Sequence, residues 1–149
     1  MLPNLNWHNL PGEFRMGAEP DEELVVYRCF RPEQFYRGRG ILSDAEKVGR
    51  TDIIEDVVGA VETCNTQKLE AHIRSHDGFS SQRQERGIVS PFLSVTTDRN
   101  LVVDYAKLDN HPFASVTLRT NRVVLAPKTA TLLVIGSIGI EEINGIETF

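Results

Sequence analysis

Apolar residues in this chain come in short β-branched runs, too brief for long helices and too many for a helical bundle. Leu24-Val25-Val26-Tyr27, Phe92-Leu93-Ser94-Val95 and the stretches 114–118, 122–125 and 131–135 each read as a short strand. Helical spacing appears between them. From 43 to 64, Val48, Ile53, Ile54, Val57, Val58 and Val61 form a stripe, with Gly49 and Gly59 weakening it. Thr66 reads as the N-cap of a second helix with Leu69, His72 and Ile73 on one face, and Thr97-Asp98 caps a third through Leu101, Val102, Tyr105 and Leu108. Segment 78–87 reads as a polar loop carrying Arg83 and Arg86, and 114–118 pairs with 122–125 across Thr120-Asn121. The order of strand, helices, strand, helix and then several strands predicts an α+β domain with mixed, largely antiparallel sheets flanked by helices. A doubly wound α/β domain would alternate regularly.

With 149 residues, 40% hydrophobic and 25% charged, the composition suits one globular domain. Residues 1–23, rich in Pro, Gly and Asn, read as an arm or linker pinned by Trp7 and Phe14, with the domain proper at 24–149. A net charge of −5 argues against passive nucleic-acid binding through a basic surface, though not against a nucleic-acid substrate met at one local site. The N-terminus lacks the layout of a signal peptide, and no apolar run approaches the ~20 residues that span a bilayer. Cys29 and Cys64 read as free buried thiols, with one disulfide as the alternative. His72 and His76 stand four apart without a third ligand, and read as a solvated helix end rather than a metal site. His72 is expected to pack against the first sheet.

Three strand-borne groups stand out. Arg28 ends an apolar run, where a cation must snorkel, pair with a carboxylate such as Glu33, or bind an anion such as phosphate. Ser94 and Thr96 alternate with Leu93 and Val95, so they share one face of a strand. Glu141 and Glu142 lie at the edge of the closing apolar segment, and in a strand only one of them can point into a given cleft. Each has an ordinary reading as well: a structural cation, a solvated strand face, an exposed strand end. Phe92 and Tyr105 have the shape to stack on a base or nicotinamide ring, but core packing is the expectation for both.

Taken in order, these segments resemble the ADP-ribosyltransferase superfamily, in its arginine–serine–glutamate branch of bacterial toxin type. The likeness rests on Tyr27-Arg28 followed by Arg31-Pro32, Phe35 and the turn Gly38 to Ile41. It rests further on Leu69-Glu70-Ala71-His72-Ile73 leading into Ser90-Pro91-Phe92-Leu93-Ser94-Val95-Thr96-Thr97, and on Glu141-Glu142-Ile143-Asn144-Gly145-Ile146 as a closing strand. The resemblance covers residues 24–146.

The resemblance implies a split β core and a cleft between two sheets that binds NAD as co-substrate. It implies that Arg28 holds the phosphates or braces the cleft, with Tyr27, Phe92 and Tyr105 beside the dinucleotide. Ser94 would orient the catalytic glutamate and the nicotinamide ribose, with Thr96 supporting the strand. Glu142, or Glu141 as the alternative, would bind the ribose 2′-hydroxyl and stabilise an oxocarbenium-like transition state, a role whose loss commonly costs about 3–4 kcal/mol of barrier. The implied protein is a glycosyltransferase toxin or effector, secreted or delivered into a target cell, acting on a protein or nucleic-acid acceptor and countered by an immunity protein. Ile140, two positions before Glu142, departs from the family's usual Glu or Gln, so the acceptor need not be arginine. An NAD glycohydrolase and a catalytically silent binding module of the same fold are the alternatives.

Overall fold

A computed structural model describes residues 10–15, 22–76 and 80–148. Among them are nine strands and five α-helices in an α+β arrangement of three small antiparallel sheets, the fold class the residue pattern predicts. The first sheet has β1 (Glu23–Cys29) and β9 (Ile143–Glu147) on either side of β5 (Phe113–Arg119). The second joins three two-residue strands, β2 (Phe35–Tyr36), β3 (Gly40–Ile41) and β8 (Ile138–Gly139). In the third, β7 (Thr131–Ile135) lies between β4 (Phe92–Val95) and β6 (Val123–Ala126).

Period-two alternation sorts the residues of the third sheet into two cores. Leu93, Val95, Leu132 and Val134 turn toward the first sheet and meet Val26, Ala114 and Val116. Phe92, Leu133 and Ile135 turn the other way, under helices α2 (Thr51–Glu62) and α3 (Thr66–His76), where Val57, Val61, Leu69 and Ile73 close the layer. Leu10 and Phe14, within the segment expected as an arm, are 2% and 1% exposed and belong to this second core. Trp7 lies outside the described residues.

Several elements differ from expectation, each for a local reason. The 43–64 stripe is two helices, α1 (Asp44–Lys47) and α2, because Gly49 takes φ +75° and ends the first. The cap of α3 is Asn65, whose Oδ1 accepts from Lys68 N at 3.2 Å, rather than Thr66. The 78–87 loop contains helix α4 (Ser80–Glu85), while 77–79 lie outside the described residues. β5 and β6 do not pair with each other. Thr120–Arg122 forms a buried 3-10 turn that carries the chain from the first sheet to the third, so β5 pairs with β1 and β9 while β6 pairs with β7. Asp98 caps α5 (Arg99–Asp109) as expected, accepting from Asn100 N at 3.0 Å and Leu101 N at 3.3 Å.

Gly40 is required where β3 meets β8. It has φ +115°, and a Cβ there would stand 2.1 Å from the carbonyl oxygen of Ile138, a backbone atom. Gly40→Ala is therefore expected to cost several kcal/mol, of the order set by a strained φ plus a displaced strand pairing. A denaturant midpoint within error of wild type would contradict this.

Candidate functional site

One isolated bridge decides where the site forms. Tyr27 N donates to Thr96 O at 2.8 Å and Thr96 N returns to Tyr27 O at 3.1 Å, tying the end of β4 to β1. Val26 and Arg28 share the face of β1 that turns toward the third sheet, so Arg28 emerges where the inter-sheet core stops. Its Nη1 donates to the carbonyl of Ser94 at 2.7 Å. Beyond it opens a cleft of about 930 Å³, in the range of small-molecule sites.

Ser94 shares the helix-facing side of β4 with Phe92, which brings it to the C-terminal end of α3. His76 Nε2 lies 2.9 Å from Ser94 Oγ, and His76 Nδ1 contacts Ser90 Oγ. Phe92, 1% exposed, packs edge-on against the same imidazole at 5.8 Å between ring centres. Arg83 from α4 donates through Nη1 to the carbonyl of His76 at 2.8 Å and lines the cleft.

Arg28 and Arg83 thus face one cavity. Burial first, then the charge of Arg83, lowers the Arg28 pKa to about 10. Among the described residues no carboxylate comes within 4.0 Å of Arg28, and its Nε is buried without a hydrogen-bond partner. The carboxylates among the described residues that line the cleft are Asp44 and Asp109. Burial lowers the Arg83 pKa as well, and Asp44, acting at longer range, offsets part of the shift on both guanidiniums. Burial, followed by Arg83 and Arg28, pushes His76 down to about 3, so the imidazole is neutral at pH 7.

That shift has a stability consequence. The folded pKa lies below the ordinary 6.5, so between pH 6.5 and about 3 the unfolded chain takes up a proton that the folded chain refuses. Stability should fall as pH drops through this window, with one extra proton's slope of at most about 1.4 kcal/mol per pH unit. Denaturation of wild type beside His76→Gln checks this: the variant should lack that excess slope, and parallel curves would contradict the assignment.

Six of the eight expected site residues meet in this cleft: Arg28, Tyr27, Ser94, Thr96, Phe92 and Tyr105. Tyr105 is 54% exposed on the rim, so core packing does not hold for it. Arg28 pairs with no acid such as Glu33 but with the Ser94 carbonyl. Glu141 and Glu142 are elsewhere. They belong to a 3-10 turn, Ile140–Glu142, rather than to a strand, and they line a separate cavity of about 420 Å³. Glu142 Oε2 meets Arg122 Nη1 at 2.5 Å and its Oε1 accepts from Gly139 N at 2.9 Å, so that carboxylate is committed to closing its own turn.

His76 and Arg83, which the residue pattern places in solvated segments, both belong to the site. His72 does not pack on the first sheet but meets Asp56 of α2 at 2.7 Å. Cys29 and Cys64 form no disulfide and are half-buried rather than buried, and burial raises the Cys29 thiol pKa, which argues against a nucleophilic role. No cluster able to hold a metal ion occurs among the described residues, and no helix among them is long and apolar enough to cross a membrane. The chain matches no family model, no curated protein and no solved structure.

Proposed function

We propose that this cleft takes a dinucleotide of the NAD class, in a domain laid out like an ADP-ribosyltransferase. The observation that carries the reading is Arg28: a partly buried guanidinium with no carboxylate partner among the described residues, an unsatisfied Nε and a second arginine beside it. Such a cation is desolvated with only the Ser94 carbonyl and the distant charge of Asp44 to offset the cost, and a pyrophosphate supplies what it lacks. Aromatic Tyr27 and exposed Tyr105 offer faces for the base or nicotinamide ring. The cleft also lies between two sheets, with the arginine on one and the serine on the other, which fits a split β core.

The proposed activity is mono-ADP-ribosyl transfer. The bond from nicotinamide nitrogen to ribose C1′ breaks, nicotinamide leaves with the electron pair, and a nucleophile on a protein or nucleic acid bonds to C1′ and loses its proton. The positive charge that develops on the ribose calls for a carboxylate in the cleft. With Glu141 and Glu142 in the other cavity, that task falls to Asp44, the cleft carboxylate whose charge reaches both arginines. Delivery into a target cell and an immunity partner belong to the same proposal.

The position of Glu142 favours a second reading, a binding module of the same layout that does not cleave NAD. Nicotinamide release from NAD, measured beside Asp44→Asn, Glu142→Gln and a lysate supplying acceptors, separates the two. Release lost in Asp44→Asn but kept in Glu142→Gln supports transfer at this cleft. NAD binding without release supports the module, and neither binding nor release overturns both.

A further inference from the structure

The Ser90–His76–Ser94 chain says which kind of ligand group Ser94 can meet. Ser90 Oγ already accepts from Phe92 N at 3.1 Å. Its own hydrogen has two destinations, the close His76 Nδ1 and the Phe92 carbonyl at 3.5 Å, which is long for a hydroxyl donor. A buried hydroxyl gives its proton to the nearer acceptor, so Nδ1 is the accepting nitrogen. The ring's remaining hydrogen then sits on Nε2 and is donated to Ser94 Oγ at 2.9 Å. The Ser94 hydroxyl hydrogen is left to point into the cleft.

The imidazole cannot take a second proton cheaply in this place. Arg28 and Arg83 face it from β1 and α4, Phe92 lies edge-on against it, and Ser90 and Ser94 occupy its two nitrogens. Protonation would put a third positive charge beside two arginines and would turn the Ser90 contact from acceptance to donation.

We propose that Ser90 holds His76 as the neutral Nε2–H tautomer, so that Ser94 donates its hydroxyl hydrogen to an anionic oxygen beside Arg28. Ser94 then acts with the two guanidiniums as a third donor on a phosphate, and His76 is a positioning residue acting through it. The tautomer stands independently of NAD; only the identity of the phosphate compound rests on the function proposed above. A ribose hydroxyl that had to donate to Ser94 would still find a lone pair there, but the geometry selects an acceptor first.

Long-range proton–nitrogen correlation spectra of the ligand-free, nitrogen-15-labelled full chain at pH 7 read the tautomer directly. The expected result is an unprotonated Nδ1 and a protonated Nε2 for His76; a protonated Nδ1 overturns the proposal. Inorganic pyrophosphate is then titrated into wild type, His76→Leu, His76→Gln, Ser94→Ala and Ser94→Thr. Losing one hydrogen bond to a charged group should weaken binding about tenfold in His76→Leu and Ser94→Ala. His76→Gln, which keeps an N–H near Nε2, and Ser94→Thr, which keeps the hydroxyl, should stay within about threefold. Equal losses in the Leu and Gln variants would reduce His76 to packing and overturn the positioning role. Pyrophosphate binding without NAD binding would leave this donor site standing and refute the dinucleotide.

Discussion

Arg28→Met is expected to raise stability by about 2 kcal/mol while weakening ligand binding at least about a hundredfold. The folded chain lowers the Arg28 pKa from its ordinary value to about 10, chiefly through burial. At neutral pH the group is protonated in both states, so the shift measures how much folding disfavours the charge, at about 1.4 kcal/mol per unit. A methionine of similar length avoids that cost and fills the same space at the edge of the inter-sheet core. The lost bond to the Ser94 carbonyl takes back about 1 kcal/mol. A site that is destabilising when empty is the usual mark of a residue retained for binding. Chemical denaturation of wild type and variant measures the difference, and a variant less stable than wild type would make Arg28 a structural cation.

The opposite sign is expected at Glu142. Its side chain is 12% exposed and that of Arg122 6%, and Arg122 Nη2 also donates to the carbonyl of Ser137 at 2.8 Å. Glu142→Ala leaves Arg122 buried without its counter-charge and Gly139 N without its acceptor, a change that typically costs about 3–5 kcal/mol. For a chain of this size that lowers the melting temperature by roughly 10 °C. The double change Arg122→Met with Glu142→Leu should recover most of the loss, because it removes both charges together. A Glu142→Ala protein as stable as wild type would free this carboxylate for a functional role. If Glu142→Ala were instead inactive and unstable, the double variant would tell unfolding from lost chemistry.

How much was legible in the residues depends on the range of the forces involved. Alternation along β1 and β4 is local, so Val26 with Arg28, and Phe92 with Ser94, could be assigned to faces from spacing alone. The Asp98 cap is local too. The pairing of β5 was not legible, because Ala114, Val116 and Leu118 are buried on one face while nothing in Thr120–Arg122 distinguishes a hairpin from a crossing between sheets. Glu141 and Glu142 read as strand residues because apolar neighbours flank them; the 3-10 turn that diverts them is closed by Glu142 itself. The sequence marks His76 only by its spacing from His72 and not by its place in the site, since its partners Ser90 and Ser94 come from 14 and 18 positions away. Arg83 was hidden in the same way, on a short helix in a segment rich in polar residues.

Calorimetric titration of NAD into wild type and Arg28→Met tests the central claim most directly. Saturable one-site binding to wild type that weakens at least about a hundredfold in the variant is the predicted result, since a guanidinium–phosphate pair in a partly buried cleft carries that much affinity. Absence of binding to wild type, or equal affinity in the two proteins, would contradict it.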